Sequence, residues 1–545
     1  MSKTCRLQTD LEKARARNRG WKMSIPLQSY LCGRWQQGEG VETELTNPVT
    51  GELLATASAR RLDLRSALDY ARDLGRSALQ ELSYGQRAKL LAQIADVLTA
   101  NKAHYEEIAI ANSGNTLGDA AIDIDGGIGT LKYYARLGAG LGGARSLLEQ
   151  GPIRLAKAEN YQALHLLIPR RGVAVHINAF NFPSWGLWEK AGVALLAGLP
   201  VLAKPASSTA WLACQMVEDV VNARVLPEGS LNLLCGSAGE LLSHLTSDDV
   251  IAFTGSHDTA LQIRGAQNVL KRSVPVNIEA DSVNAAILAP DTAPGSEAFD
   301  AFIREVVREI TVKAGQKCTA IRRVFVPNLH AGAATDALIE KLKTTIVGDP
   351  RRSDVRMGPL VTRAQQAKVL DGIKQLAAEA EILCGAGHSP DIEGIDPDKS
   401  AFVLPALLRT ANAESANAVH EVEVFGPVAT LIPFRDLNQM MALVRRGGGS
   451  LVASIFGADV SFLERAAREL GSSHGRVLAI DPSIATSHTG HGIVMPQCNH
   501  GGPGRAGNGE ELGGLHGLRL YHQRVAVQGS TDLLPRLQAE AASIH

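Results

Sequence analysis

The sequence predicts an α/β protein built on two blocks of parallel sheet covered by helices, and three observations predict it. Short β-rich runs at 172–177, 201–204, 231–234, 250–253 and 274–279 alternate with helical stretches at 185–197, 209–223, 238–245 and 258–268. Strand, crossover helix and strand at this repeat give a parallel sheet with helices on both faces. A second alternation follows, with a helix from about 299 to 310 whose Phe299, Phe302, Ile303, Val306 and Ile310 share one face, then a strand at 322–326. Finally, Asn181, Lys204, Ser256 and Glu279 all fall just after strands, at the carboxyl ends where ligands of such sheets lie.

The remaining elements follow in chain order. Residues 1–25 carry Lys3, Arg6, Lys13, Arg15, Arg17, Arg19 and Lys22 but no apolar stretch, and Asp10 and Glu12 argue against a transit peptide. We read them as a solvated extension, with Met23 as an alternative start. Leu91, Ile94 and Leu98 recur at helical spacing and predict one amphipathic helix over 85–107. Gly138-Ala-Gly140-Leu-Gly-Gly143 formally matches a dinucleotide fingerprint, but a helical segment precedes it where a strand is required, so it reads as a linker. Residues 153–168 alternate weakly and predict a hairpin outside the main body. Glycines 447–449 and the Gly-, His- and Asn-rich stretch 488–517 predict loops near the mouth of a site.

Composition narrows the function classes. A chain of 545 residues needs two or three domains. A net charge of -1 gives no electrostatic case for nucleic acid or an anionic membrane, which leaves small molecules as partners. Seven cysteines without a Cys-x-x-Cys pair argue against a disulfide framework and for a reducing compartment, the cytoplasm. The best apolar run, 191–202, is short and broken by Gly198 and Pro200, so no membrane span is expected.

Four motifs carry candidate chemistry. Cys318 in Gly-Gln-Lys-Cys lies on a loop between helix and strand, where Lys317 would lower the thiol pKa; the alternative is a small core residue. Asn181 in Asn-Phe-Pro offers an amide donor, or an Asx-turn before Pro183, with Asn178 as a nearby decoy. Glu279 ends an apolar run, where desolvation would raise its pKa toward that of a general base, and Asp281 is a competing carboxylate. Glu423 stands in Glu-Val-Phe-Gly-Pro, which otherwise reads as a strand-ending turn.

From about Tyr30 to Gln528 these motifs together resemble the aldehyde dehydrogenase superfamily. The resemblance implies an NAD(P)-dependent oxidoreductase of aldehyde dehydrogenase-like fold. It would have an N-terminal extension (1–25), a Rossmann-type cofactor domain (26–148 and 172–278), small β oligomerisation segments (149–171 and 514–535) and an α/β catalytic domain (279–513). It further implies a homodimer or dimer of dimers in which 518–527 pairs with a partner subunit. By the same resemblance Cys318 is the nucleophile, Asn181 and the Cys318 backbone N–H form an oxyanion hole, and Glu279 is the base that hydrolyses the thioester. Relatives that pass the acyl group to coenzyme A tend to lack that glutamate. Glu423 and Phe425 would hold the nicotinamide ribose and Lys204 the adenosine ribose, with Gly236, Gly239 and Ser256 near the pyrophosphate. Ser207 stands where NAD-preferring members often carry glutamate, which removes a charge that repels a 2′-phosphate; NADP is expected first and NAD second.

Departures from the family pattern are Asn178-Ala-Phe before Asn181 and Ala280-Asp-Ser after Glu279. The stretch Asn499-His-Gly-Gly-Pro-Gly-Arg, with Arg524-Val-Ala-Val-Gln-Gly, is similar to members that oxidise coenzyme A-linked semialdehydes from aromatic ring cleavage, so the expected partner is an aldehyde carried on a CoA thioester. A CoA-acylating dehydrogenase, a general aliphatic aldehyde dehydrogenase and an inactive binding relative remain alternatives. His488, His491, Cys498 and His500 fit no tetrahedral zinc spacing, so no metal is assigned. The arginine pairs 170–171, 322–323, 351–352 and 445–446 read as solvated faces, one of which would meet the phosphates of a large substrate.

Overall fold

The computed structural model describes residues 24–385 and 390–543, so the solvated extension and its basic residues lie outside it up to residue 23. Ile25–Pro26 is already a strand, paired in parallel with Leu53–Ala57, which places regular structure one residue inside the expected extension.

The first block is a seven-stranded sheet in the spatial order Val276–Glu279, Val250–Thr254, Ala174–Ile177, Val201–Lys204, Leu231–Leu233, Ser29–Leu31, Arg34–Gln36. The first five strands are parallel and the last two antiparallel. The five parallel strands are the β-rich runs read from the sequence and are almost wholly buried, which is why they are mostly apolar rather than alternating. The helix Trp185–Ala197 is buried at every residue from Leu187 to Ala197, enclosed by the sheet and by the helices Tyr84–Ala100 and Leu117–Gly140. Gly198 ends it in a left-handed conformation, where a Cβ would lie 1.9 Å from Arg87 Nη1.

Several helix readings need correction. The expected helix 85–107 is two helices, Tyr84–Ala100 and Lys102–Ser113, broken at Asn101. In place of a helix at 238–245 only the 3₁₀ turn Leu241–His244 forms, preceded by Gly239 at φ +49°. The stretch 258–268 divides at Ala266 into His257–Gly265 and Gln267–Arg272. Gly138 is no linker residue: it sits in the last turn of Leu117–Gly140 packed on Leu196, which an added Cβ would meet at 2.4 Å.

The second block is another seven-stranded sheet, ordered Ala380–Cys384, Ala406–Thr410, Val428–Phe434, Ile321–Pro327, Asn284–Leu288, Ser450–Phe456, His474–Ile480, parallel except for the first pair. The predicted hairpin forms as Ser146–Arg154 and Tyr161–Pro169. His522–Ser530, in the segment expected to pair with a partner subunit, lies antiparallel on Tyr161–Pro169 as an edge strand of this sheet, and Ala541–Ser543 forms its other edge.

The hairpin Asn499–Gly502 and Gly509–Leu512 docks on the edge strand Val276–Glu279. Its glycines are required there, because a Cβ on Gly507 or Gly509 would lie 2.3 or 2.2 Å from the Ile278 carbonyl oxygen. Ala280 N–H donates to the Ala506 carbonyl at 3.1 Å, and the Asn277 side chain accepts from Glu510 N–H and donates to Glu511. No helix among the described residues is long and apolar enough to cross a membrane.

Candidate active site

The parallel strands deliver their last residues to one rim. Ile177 leads into Asn178 to Asn181, Val201–Lys204 ends on Lys204, Val250–Thr254 on Thr254, and Val276–Glu279 on Glu279. Cys318 arrives from the other block. After the helix Glu297–Thr311 the chain reverses through three left-handed residues, Lys313, Ala314 and Gly315, at φ 53°, 50° and 66°. Two of them are not glycine, and such strain persists only where the surroundings enforce it. The Arg322 guanidinium donates to the Gly315, Lys317 and Gly426 carbonyls. Asn284 donates to the Cys318 carbonyl at 2.7 Å. The Gln316 amide donates to the Lys313 carbonyl and accepts from Val361 N–H, which gives a physical reason for glutamine in the Gly-Gln-Lys-Cys motif. Gly315 admits no side chain, since a Cβ would stand 2.1 Å from the Gly426 oxygen.

Cys318, Glu279 and His500 converge, with a ligating atom of each within 4.8 Å of the others. His500 Nε2 stands 2.9 Å from Glu279 Oε2. Glu279 is 2 % exposed and His500 6 %. Two electrostatic expectations are overturned here. Burial pushes the Glu279 carboxyl up as predicted, but the His500 imidazole and the Lys190 ammonium outweigh burial and hold it well below the usual carboxylate range. Lys317 does not activate the thiol, because its ammonium turns away to Glu309 at 2.5 Å. Burial and then the Glu279 carboxylate, with Glu189 and Glu423 adding, push the Cys318 thiol well above its ordinary value. His500 is shifted the other way: burial lowers it, but the Glu279, Glu189 and Glu511 carboxylates raise it overall.

Two openings meet at this cluster. A cavity of about 480 Å³ is lined by Asn181, Trp185, Glu189, Glu279, Cys318 and His500 among others. A larger cleft of about 1440 Å³ is lined by Lys204, Ser207, Ser256, Glu423, Phe425 and Lys368. Asn178, Ala179, Asn181, Thr254, Glu279 and Cys318 line both. Asn181 Nδ2 is buried without a hydrogen-bond partner, as are both polar side-chain atoms of Asn178 and the Thr254 hydroxyl. Unpaired buried polar atoms at one junction point to a polar ligand that completes them.

Of the residues predicted to bind cofactor, Lys204, Ser207, Ser256, Glu423 and Phe425 share the cleft. Gly236 lies behind it, accepting from the Ser207 hydroxyl at 3.4 Å, and Gly239 is exposed away from it. The helix start in the cleft is that of His257–Gly265, capped by Ser256, rather than one at Gly239. Burial pushes Glu423 up, and Asp281 adds to this against Arg322, to about 8. The histidines and Cys498 weighed as zinc ligands separate: His491 meets Ser454, Cys498 is exposed, and only His500 enters the site. Arg322 and Arg323 are buried rather than solvated.

Sequence reasoning missed three features. His500 faces Glu279. Lys190 is buried between Glu189 at 3.2 Å and Glu511 at 3.0 Å behind it. Arg322 ties the Cys318 loop to the Phe425 segment, with its guanidinium 5.6 Å from the Phe425 ring centre. A Glu-Lys pair, Glu189 and Lys190, inside the otherwise apolar helix Trp185–Ala197 is the available signal, because a buried charge requires partners.

A parallel-sheet cleft that opens onto a half-buried thiol beside a buried carboxylate and amide is the architecture of an aldehyde-oxidising enzyme, and the chain belongs to the aldehyde dehydrogenase family, whose model matches residues 35–527. It is 51 % identical to 3,4-dehydroadipyl-CoA semialdehyde dehydrogenase of Aromatoleum evansii, over 88 % of this chain and 93 % of that one. It is 28 % identical to 2-aminomuconic 6-semialdehyde dehydrogenase of a Pseudomonas species, over 91 % and 96 % of the two chains. Betaine aldehyde dehydrogenase of Staphylococcus aureus, solved with NAD⁺, shares the fold at a TM-score of 0.80 and 23 % identity, covering 93 % of this chain and 96 % of that one. The chain is an aldehyde dehydrogenase.

Proposed function

We propose that the protein oxidises a CoA-linked semialdehyde such as 3,4-dehydroadipyl-CoA semialdehyde to the carboxylic acid, with NADP preferred over NAD. The observation that carries this reading is the meeting of cavity and cleft at Cys318, Glu279 and Asn181. The Cys318 thiol gives up its proton to water, and the sulfur bonds to the aldehyde carbon as a thiohemiacetal. Asn181 Nδ2 and the Cys318 backbone N–H stabilise the oxyanion. Lys204, Ser207, Glu423 and Phe425 would hold a nicotinamide cofactor in the cleft, which would supply the hydride acceptor, and loss of hydride from the thiohemiacetal carbon leaves Cys318 as a thioester. Glu279, kept ionised by His500 and Lys190, then takes a proton from water as the hydroxyl attacks the thioester carbon, and the acid is released with the thiol restored. The substrate class rests on the relative that is 51 % identical over most of both chains.

The test is initial-rate reduction of NADP and NAD with an acyl-CoA semialdehyde and with hexanal. Preference for hexanal, or CoA thioester formed from the aldehyde carbon when free coenzyme A is added, would overturn the reading. For cofactor choice, Ser207→Glu is expected to raise the KM for NADP about tenfold or more while that for NAD changes little, since a carboxylate beside Lys204 repels the 2′-phosphate. Equal effects on both would remove Ser207 from the selectivity argument.

His500→Gln should change the pH profile. The charged groups facing Glu279 are His500 and Lys190, with Glu189 opposing them. Without the imidazolium, Glu279 loses its main source of a low pKa, so the acid limb of kcat should move to higher pH by about 1–3 units. An unmoved limb would show that His500 does not govern the base.

A further inference from the structure

A second cleft, of about 910 Å³, lies outside the machinery described above and is lined by Arg304, Val307, Arg308, Thr311, Thr344, Thr345, Ile346, Asp354 and Arg356. We propose that this cleft binds the phosphorylated nucleotide end of the coenzyme A that carries the aldehyde, an inference that rests on the CoA-linked substrate proposed above. Arg304 and Arg308 stand one turn apart on the helix Glu297–Thr311, Thr344 and Thr345 follow the helix Ala331–Lys343, and Arg356 closes the opposite side. Lys341 and Lys343 in the last turn of that second helix add positive charge nearby.

Each guanidinium is positioned but not neutralised at close range. Arg304 donates to the Ala485 carbonyl at 3.1 Å, Arg308 meets Glu305 only at 4.0 Å, and Arg356 meets Asp119 at 3.5 Å. The acidic lining residue, Asp354, is bound by Arg352 at 2.7 Å. Burial, then Arg304 and Arg308, hold the neighbouring His488 below its ordinary range, as expected where cations gather. The threonine hydroxyls of the lining already donate to backbone carbonyls, so the donors for phosphate are the three planar guanidinium forks, which bind it in pairs of parallel hydrogen bonds.

The position fits as well. On one wall, a Cβ on Gly490 would lie 2.8 Å from Arg308 Nη1, and Gly492, two residues on, lines the Cys318 cavity. Glu305, the partner of Arg308, accepts from His491 N–H between them. On the other wall, Asp119 binds Arg356, and Asp123, one turn along the same helix, accepts from the backbone N–H of Trp185, another cavity residue. The cavity and this cleft thus share two walls, and the proposal seats the nucleotide of a thioester whose aldehyde enters the cavity over these arginines. No residue of this cleft lines the cleft assigned to NADP.

The test compares the CoA thioester of adipic semialdehyde with hexanal in the full-length enzyme. In Arg304→Ala/Arg308→Ala, kcat/KM for the thioester is expected to fall about tenfold or more, through KM, with hexanal unchanged within about twofold. Arg304→Lys/Arg308→Lys should fall between, because charge remains while paired hydrogen bonding is lost. In the wild type, 3′,5′-ADP should compete with the thioester and leave hexanal oxidation unaffected. If the wild type prefers the thioester and the double alanine variant keeps that preference, or if 3′,5′-ADP competes with NADP instead, the subsite is wrong while the proposed substrate stands. If the wild type shows no preference for the thioester, the substrate reading fails and this inference fails with it.

Discussion

Replacing Cys318 by serine is expected to lower aldehyde-dependent NADPH formation by about 10⁴-fold or more while the protein remains folded. The sulfur is only partly buried and its loop is held by groups that do not touch it, namely Arg322, Asn284 on the Cys318 carbonyl, and the Gln316 amide. Serine fills nearly the same space, so the unfolding temperature should move little. Its hydroxyl is a far weaker acid than a thiol in surroundings that already oppose ionisation, with Glu279, Glu189 and Glu423 all acting on the site. Stopped-flow fluorescence should show neither a burst nor a steady state. A burst of one NADPH per site in the serine variant would move the nucleophile elsewhere.

Glu279→Gln should produce two effects of opposite sign. Turnover is expected to fall about 10²–10⁴-fold, because the thioester has lost the carboxylate that activates water. The thiol, however, should ionise more readily, because the largest charge opposing its ionisation has been removed. Alkylation of Cys318 by iodoacetamide at neutral pH should therefore be faster in the variant than in the wild type. A structural lesion would slow turnover without accelerating alkylation, so the pair of measurements separates the roles. Restoration of turnover by added coenzyme A, with a thioester product, would favour acyl transfer over hydrolysis.

The fold was legible because its signals are local. Parallel strands buried on both faces must be short, mostly apolar runs, and residues 174–177, 201–203 and 250–253 are such runs, followed at once by Asn178, Lys204 and Thr254. The family was legible because four motifs occur in order over most of the chain. The direction of Lys317 was not: adjacency in sequence says nothing about which side of a loop an ammonium faces, and the buried Glu309 that captures it lies on the preceding helix. The contact between His500 and Glu279 depends on a glycine hairpin crossing an edge strand, a tertiary event with no local period. Gly239 was assigned to a pyrophosphate site on the assumption that a helix begins there, and its positive φ leads into a short 3₁₀ turn instead.

The lysine that turns away from the nucleophile has one more consequence. Peroxide attacks thiolate far faster than thiol, and the first product, a sulfenic acid, is the gateway to irreversible loss of a catalytic cysteine. A cationic neighbour would have kept the sulfur permanently ionised and exposed to that damage. With Lys317 held by Glu309 and carboxylates beside the sulfur disfavouring its ionisation, slower reaction of Cys318 with peroxide than that of an exposed cysteine is the expected consequence.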